Sequence, residues 1–201
     1  MCMQNVFKLV VNETIAPLFK EEGYKKQGKN FAHVRSDFST TVNIQSSKWN
    51  TKDEVEFFFN TGIYVEKVFM LMYQLPKPKF PLEINSVMRI GGTALTKDDS
   101  WYRLTADTDV EQLKQKITND ITEYILPYLR QFESITDVIQ VMESRERNGV
   151  FESPHHLTIL YCSIGDMEKA QERMTRVYNK SKLDSQRKFA KALANRLGLR
   201  V

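Results

Sequence analysis

Residues 30–36, 38–46 and 54–63 place apolar side chains at alternate positions, with Phe31, Val42, Ile44, Val55, Phe57 and Phe59 as the repeating members. Successive side chains of an extended strand point to opposite faces, so a period of two predicts an antiparallel meander with one face against a core. Three such strands need cover. The segment before them can supply it, because Met3, Val6, Phe7, Val10, Val11, Ile15, Leu18 and Phe19 recur at steps of three and four, the spacing of one buried helical stripe. Gly23 ends that helix. Pro17 lies inside the pattern, where it removes an amide donor and crowds the preceding turn, so a kink or restart is expected near Thr14. Phe58 interrupts the alternation of the third strand and predicts apolar contact on its second face as well.

The remainder of the chain reads as mixed, then helical. Met70, Met72 and the spacing of Val68, Leu71 and Leu75 predict a short helix within 65–75, and Pro76, Pro78 and Pro81 turn 76–82 into an extended crossing. Strands are expected at 85–90 and 101–104, with turn chemistry between them at Gly91-Gly92 and over Lys97-Asp98-Asp99-Ser100. A long helix should cover 109–131, capped by Asp107 or Thr108, with Val110, Leu113, Ile117, Ile121, Tyr124 and Ile125 on one face and a bend near Pro127. Another follows from Ile135 to about Arg145. Ser153-Pro154 then signals a helix start, since Ser accepts from free amides and Pro in the first turn loses no bond. Three short helices complete the chain. Within them, the span from Tyr161 to Ala170 resembles the helix–turn–helix core of a tetratricopeptide repeat, with Gly165 at the turn and Ala170 at the close approach. The fold class expected is α+β: a twisted antiparallel sheet covered by helices over residues 1–132, and a C-terminal helical segment over 133–201.

At 201 residues and 41% hydrophobic content, the chain suffices for one substantial core, or for a core domain plus a helical appendage. No apolar run approaches the roughly 20 residues of a membrane helix, and Met1-Cys2-Met3-Gln4 lacks the layout of a signal peptide. A cytoplasmic location and no membrane partner are expected. Cys2 and Cys162 form neither a CxxC motif nor a disulfide framework, which suits a reducing compartment. The net charge of +4 is unevenly spread: from Glu168 to Arg200 ten Lys/Arg stand against three Asp/Glu, leaving the rest of the chain at −3.

The stretch Asn43 to Asn50 is the first place to seek a site. Val42 and Ile44 take one face of its strand, while Asn43, Gln45 and Ser47 take the other and Trp49 follows. A polar row ending in an indole suits recognition, and Asn60 on the next strand and Arg89 across the sheet are candidates to join it. The competing structural reading has Gln45 and Ser47 bonded to nearby backbone, Trp49 capping the core edge, and Arg89 paired with Asp98 or Asp99. His33 lies on a predicted strand apart from any nucleophile. His155 and His156 are about 100° apart on a helix and cannot both grip one metal. Asp98 and Asp99 read as solvated turn residues. No metal or cofactor is called for. The basic tail offers Arg173, Arg176, Lys180, Arg187 and Lys188 as a surface that could track phosphates.

Several short motifs occur in a fixed order: Gly23-Tyr24-Lys25-Lys26, Asn30-Phe31, Asn43-Ile44-Gln45-Ser46-Ser47-Lys48-Trp49, Gly62-Ile63-Tyr64, Arg89-Ile90-Gly91 and Asp99-Ser100-Trp101-Tyr102. Together they resemble the bacterial family called domain of unknown function 4304 over roughly residues 3–132. The resemblance implies a cytoplasmic bacterial α+β domain and carries no established activity, substrate or catalytic residues. It adds Trp101 to the candidate set of Gln45, Ser47, Trp49, Asn60 and Arg89. The leading expectation is therefore a non-enzymatic module that binds another protein or a small ligand through a polar sheet face. The alternatives are a nucleic-acid-associated protein acting through the basic helices, or a hydrolase. Oligomeric state is left open.

Overall fold

The computed structural model describes residues 2–98, 100–150 and 153–201. The chain divides into two compact units, the first comprising 1–64 with 78–132 and the second 65–77 with 133–201.

The first unit begins with α1 (Met3–Val10), whose Val6, Phe7 and Val10 are buried. A π-helical segment (Val11–Ile15) leads into α2 (Ala16–Glu21), which carries Pro17 in its first turn. The proline ring would crowd the carbonyl of Glu13, and the wider π turn is where that carbonyl sits. Gly23 follows with φ +80°, donating its amide to Lys20 O at 3.0 Å.

The sheet has β1 (Lys25–Gln27), β2 (Asn30–Val34), β3 (Ser39–Ser46), β4 (Val55–Tyr64), β5 (Met88–Gly91) and β6 (Tyr102–Leu104), all paired antiparallel. The order is β1-β2-β3-β4, after which β5 and β6 share the far edge of β4, opposite residues 60–63 and 55–57 respectively. β1 escapes a pattern-based reading because Lys25-Lys26-Gln27 has no apolar member. Between β5 and β6 stands a short helix, α4 (Gly92–Thr96), where turn chemistry was expected. Gly92 permits it: an added Cβ would lie 3.2 Å from the Phe59 carbonyl oxygen. The strand expected over 85–90 is likewise displaced. Its first part is a 3-10 turn (Glu83–Asn85), and only Met88–Gly91 pairs.

The inner face of the sheet presents Phe31, Val42, Ile44, Phe57, Phe59 and Ile63, all at most 1% exposed. Phe7 packs on Phe57 at 4.8 Å between ring centroids, and Phe19 on Phe31 at 4.8 Å. A second helical run lies beside the first: α5 (Val110–Asp120), a π segment (Ile121–Ile125) and α6 (Leu126–Arg130). Pro127 repeats the device seen at Pro17, again placed two residues after the π segment. The cap is Asp109, whose carboxylate accepts from the amides of Glu111 and Gln112 at 3.1 and 3.0 Å, in place of Asp107 or Thr108. Tyr124, expected on the buried face, is 41% exposed because the π turn rotates the register, leaving Ile117, Ile121, Ile125 and Leu129 as the inner stripe. Ion pairs from Lys114 to Glu13 (3.8 Å) and from Arg130 to Glu22 (2.6 Å) tie the two helical runs together.

The second unit contains α3 (Glu66–Tyr73), α7 (Ile135–Arg147), α8 (Pro154–Ser163), α9 (Met167–Lys180) and α10 (Asp184–Leu197). α7 opens with a reciprocal cap between Ser134 and Asp137, and α8 opens with Ser153 accepting from the His155 amide. Gly165 (φ +79°) turns α8 into α9. Ala170 and Met174 of α9, together with Ile159, Leu160, Ala190 and Leu193, are fully buried.

Candidate functional site

The outer face of the sheet is built in rungs. Asn30, Asn43 and Asn60 stand in one rung across β2, β3 and β4, and the Asn43 amide donates to Asn30 Oδ1 at 2.8 Å. The next rung pairs Gln45 with Phe58. On the other side of the Asn rung, Thr41 pairs with Gly62 beneath Ser86, whose hydroxyl lies 3.2 Å from that of Thr41. Residues 83–87 thus cover this part of the outer face, while the rungs at Gln45 and beyond remain open.

The β3–β4 turn fixes the open end. Asn50 spans it, donating to Glu56 O at 2.9 Å and accepting from Glu56 N at 2.7 Å, while Ser47 N donates to Glu56 O at 2.9 Å. Above these bonds Trp49 projects with 77% of its surface exposed. Trp101 lies on the Phe58 ring, centroids 4.4 Å apart, and stays 39% exposed. A cleft of about 620 Å3 results, lined by Gln45, Ser46, Ser47, Lys48, Trp49, Glu56 and Trp101.

The structure therefore brings Gln45, Ser47, Trp49 and Trp101 to one cleft and sets Asn60 two positions along β4 from Phe58 on the same face. Arg89 is placed elsewhere. It faces Gly62 in the register and grips Glu83, with Nε donating to Oε1 and Nη2 to Oε2 at 3.2 Å. The expected pairing with Asp98 does not form, because Lys116 holds that carboxylate at 3.0 Å; Asp99 lies outside the described residues. Asp98 is accordingly no unpartnered turn residue. The Ser100 amide, ahead of Lys116, draws its carboxyl down to about 2.

Local bonding partly occupies the polar groups: Gln45 Nε2 donates to Ser46 O at 3.4 Å, and Ser47 Oγ accepts from Trp49 N at 3.2 Å. Trp49 does not cap the core edge. Its ring instead has the Lys48 ammonium 4.9 Å from its centroid. Lys29 crosses from the β1–β2 turn to donate to Ser46 Oγ at 2.6 Å. Burial lowers its ammonium from the ordinary lysine value. The cleft thus offers two indoles, an amide, one carboxylate and one ammonium within a fixed sheet frame. Ser46, Lys48 and Glu56 line the cleft without having been among the candidate residues, and Phe58 and Asn50, which support it from beneath and from the turn, were not among them either. The signal for Phe58 was its broken alternation; that for Asn50 was only its place in a turn.

The basic residues of the second unit divide. Arg173 makes a bidentate pair with Glu146 (2.9 and 3.0 Å), Arg176 pairs with Glu172 (2.6 Å), and Arg187 donates to the Ser181 carbonyl (3.0 Å). Lys180 and Lys188 are exposed. His33 stacks edge-on to Tyr24, and His155 to Phe189 at 5.0 Å. Among the described residues no group of three or more His, Cys, Asp and Glu side chains converges to hold a metal.

An antiparallel sheet with helices on its inner face and an aromatic cleft on the open end of its outer face defines an α+β protein. The chain belongs to the family described as domain of unknown function DUF4304, whose model matches residues 15–131. No curated protein and no solved structure matches it.

Proposed function

We propose that the first unit is a recognition module which binds another protein through the cleft between Trp49 and Trp101. The observation that carries this reading is the 77% exposure of Trp49 on a turn held by the paired bonds of Asn50 to Glu56. Burying an indole that protrudes this far releases about 3 kcal/mol, and a rigid frame keeps the ordering cost of binding low. Gln45, Ser47 and Glu56 supply hydrogen-bonding groups beside it. We place this activity in a bacterial cytoplasm, a setting compatible with the free thiols of Cys2 and Cys162. Recognition of nucleic acid by the second unit is the weaker reading, since Arg173 and Arg187 are engaged within the unit.

A photo-crosslinking residue at position 45, activated in the native host, tests the proposal. A discrete protein adduct is expected, lost when Trp49 is replaced by Ala and absent when the crosslinker replaces the exposed Glu111. An adduct pattern insensitive to Trp49→Ala, or shared with position 111, would overturn it.

A further inference from the structure

α9 carries Arg173, Arg176, Val177 and Lys180 at steps of three and four, so these residues form one stripe along the helix, beside the buried positions Ala170 and Met174. The stripe forms a wall of a cleft of about 470 Å3 within the second unit, to which Pro154 and His155 of α8, Gln186 of α10 and Glu146 of α7 also contribute. That volume is in the range of small-molecule sites, which run to about 300–1,000 Å3.

Its polar lining is unbalanced. Among the described residues three cations face one carboxylate, and Arg173 already satisfies that carboxylate with both terminal nitrogens. Arg176 and Lys180 are left in excess. Among the described residues, Arg176 makes its ion pair with Glu172, an exposed one with side chains 51% and 66% accessible. Exposed pairs of this kind contribute little, so the guanidinium is free to exchange Glu172 for a better acceptor. Gln186 uses its carbonyl oxygen to accept from the amides of Lys182 and Leu183 (3.2 and 3.4 Å), which turns its NH2 outward as a donor. The Nδ1 atom of His155 is buried with no hydrogen-bond partner among the described residues. Burial also holds this imidazole below its ordinary range, so it is a neutral ring at pH 7. Beside these donors lie apolar surfaces, Pro154, Val177 and the His155 ring itself.

We infer that this cleft binds a phosphate monoester with a flat or apolar body, the phosphoryl oxygens taken by Arg176, Lys180 and the Gln186 amide, the body resting on Pro154, Val177 and His155. A guanidinium and an ammonium set four residues apart on one helix face suit a tetrahedral dianion, and the apolar floor separates this site from a diffuse basic surface.

Calorimetric titration of the full chain at fixed ionic strength tests the assignment, with adenosine monophosphate, inorganic phosphate and adenosine as probes. Saturable binding of adenosine monophosphate at one site is expected, at least about tenfold tighter than adenosine and than inorganic phosphate, and equal affinity for inorganic phosphate would overturn the role given to the apolar floor. Arg176→Ala and Lys180→Ala should each weaken it about tenfold. Lys188→Ala, an equal loss of charge on α10 outside the cleft, should leave it unchanged, and all three variants should keep the wild-type melting temperature. Equal affinity for adenosine, equal loss in Lys188→Ala, or no saturable binding would overturn the inference. So would displacement by a single-stranded oligonucleotide whose own binding needs Lys188, which would mark a nucleic-acid surface instead.

Discussion

Trp49 and Phe57 show how differently two aromatic side chains near one turn contribute to this protein. Phe57 is fully buried, packed on Phe7 and Tyr102 at 4.8 and 5.2 Å. Its replacement by Ala deletes a ring from the core and should cost about 3–5 kcal/mol in chemical denaturation. Trp49→Ala should shift the melting temperature by no more than about 1 °C, because a ring 77% in solvent stabilises little. Since Trp49 and Trp101 are the two tryptophans of the chain, intrinsic fluorescence reads the cleft directly. Asn50→Ala belongs between these extremes. It strips both bonds to the Glu56 backbone and should cost about 1–3 kcal/mol. Only half of the contrast between Phe57 and Trp49 was legible from sequence: alternation assigns Phe57 inward, whereas the turn left Trp49 open to two readings, outward anchor or cap on the core edge, and the 77% exposure decides for the first. The partner of Arg89 was not legible. Glu83 reaches it only because residues 83–87 fold over β4, a placement that local pattern does not encode.

Among the elements, long periodic ones were readable and short ones were not. The strands at 30–34, 39–46 and 55–64 and the helix bearing Pro17 carry enough repeats to declare their buried faces, and the run bearing Pro127 does so up to its π turn, where Tyr124 is rotated outward. β1 and α4 carry too few, since they exist by virtue of neighbours: β1 pairs with β2, and α4 rests where Gly92 meets the Phe59 carbonyl. The same dependence governs the segment 83–87. An added Cβ at Gly62 would lie 2.4 Å from Ser86 Oγ and 3.0 Å from Thr41 Oγ1. Gly62→Ala should therefore displace that segment and cost about 1–3 kcal/mol. Adding Ser86→Gly should recover most of the loss, and a double-mutant cycle measured by urea unfolding gives the coupling. Equal destabilisation with and without Ser86 would show that the clash lies elsewhere.

For the whole molecule, titrating groups on both units that are shifted by burial or by hydrogen-bond and charge partners set the range of pH over which the fold holds. Burial keeps the imidazoles of His33 and His155 below their ordinary value of 6.5. The unfolded chain takes up these protons as pH falls through about 6.5 while the folded chain does not, so stability declines there and levels off below the folded values. A second acid step comes from carboxyls held low: Glu146 by Arg173, Asp137 by Ser134, and Asp98 at about 2 by the Ser100 amide and Lys116. Their stabilisation is full above about 4 and is lost as pH falls towards the folded values. On the alkaline side burial pushes the Tyr24 hydroxyl from 10 up to about 12, and burial together with Asp120 raises that of Tyr102. Above pH 10 the unfolded chain ionises first, and stability falls again. Melting temperatures recorded from pH 3 to 11 should therefore form a plateau between about 7 and 9.5 with a two-step acid decline. The double variant His33→Gln/His155→Gln should lose the upper step and keep the lower one. A melting temperature that rises between pH 7 and 5.5 would mean that these imidazoles are charged in the folded protein, reversing the sign of the argument.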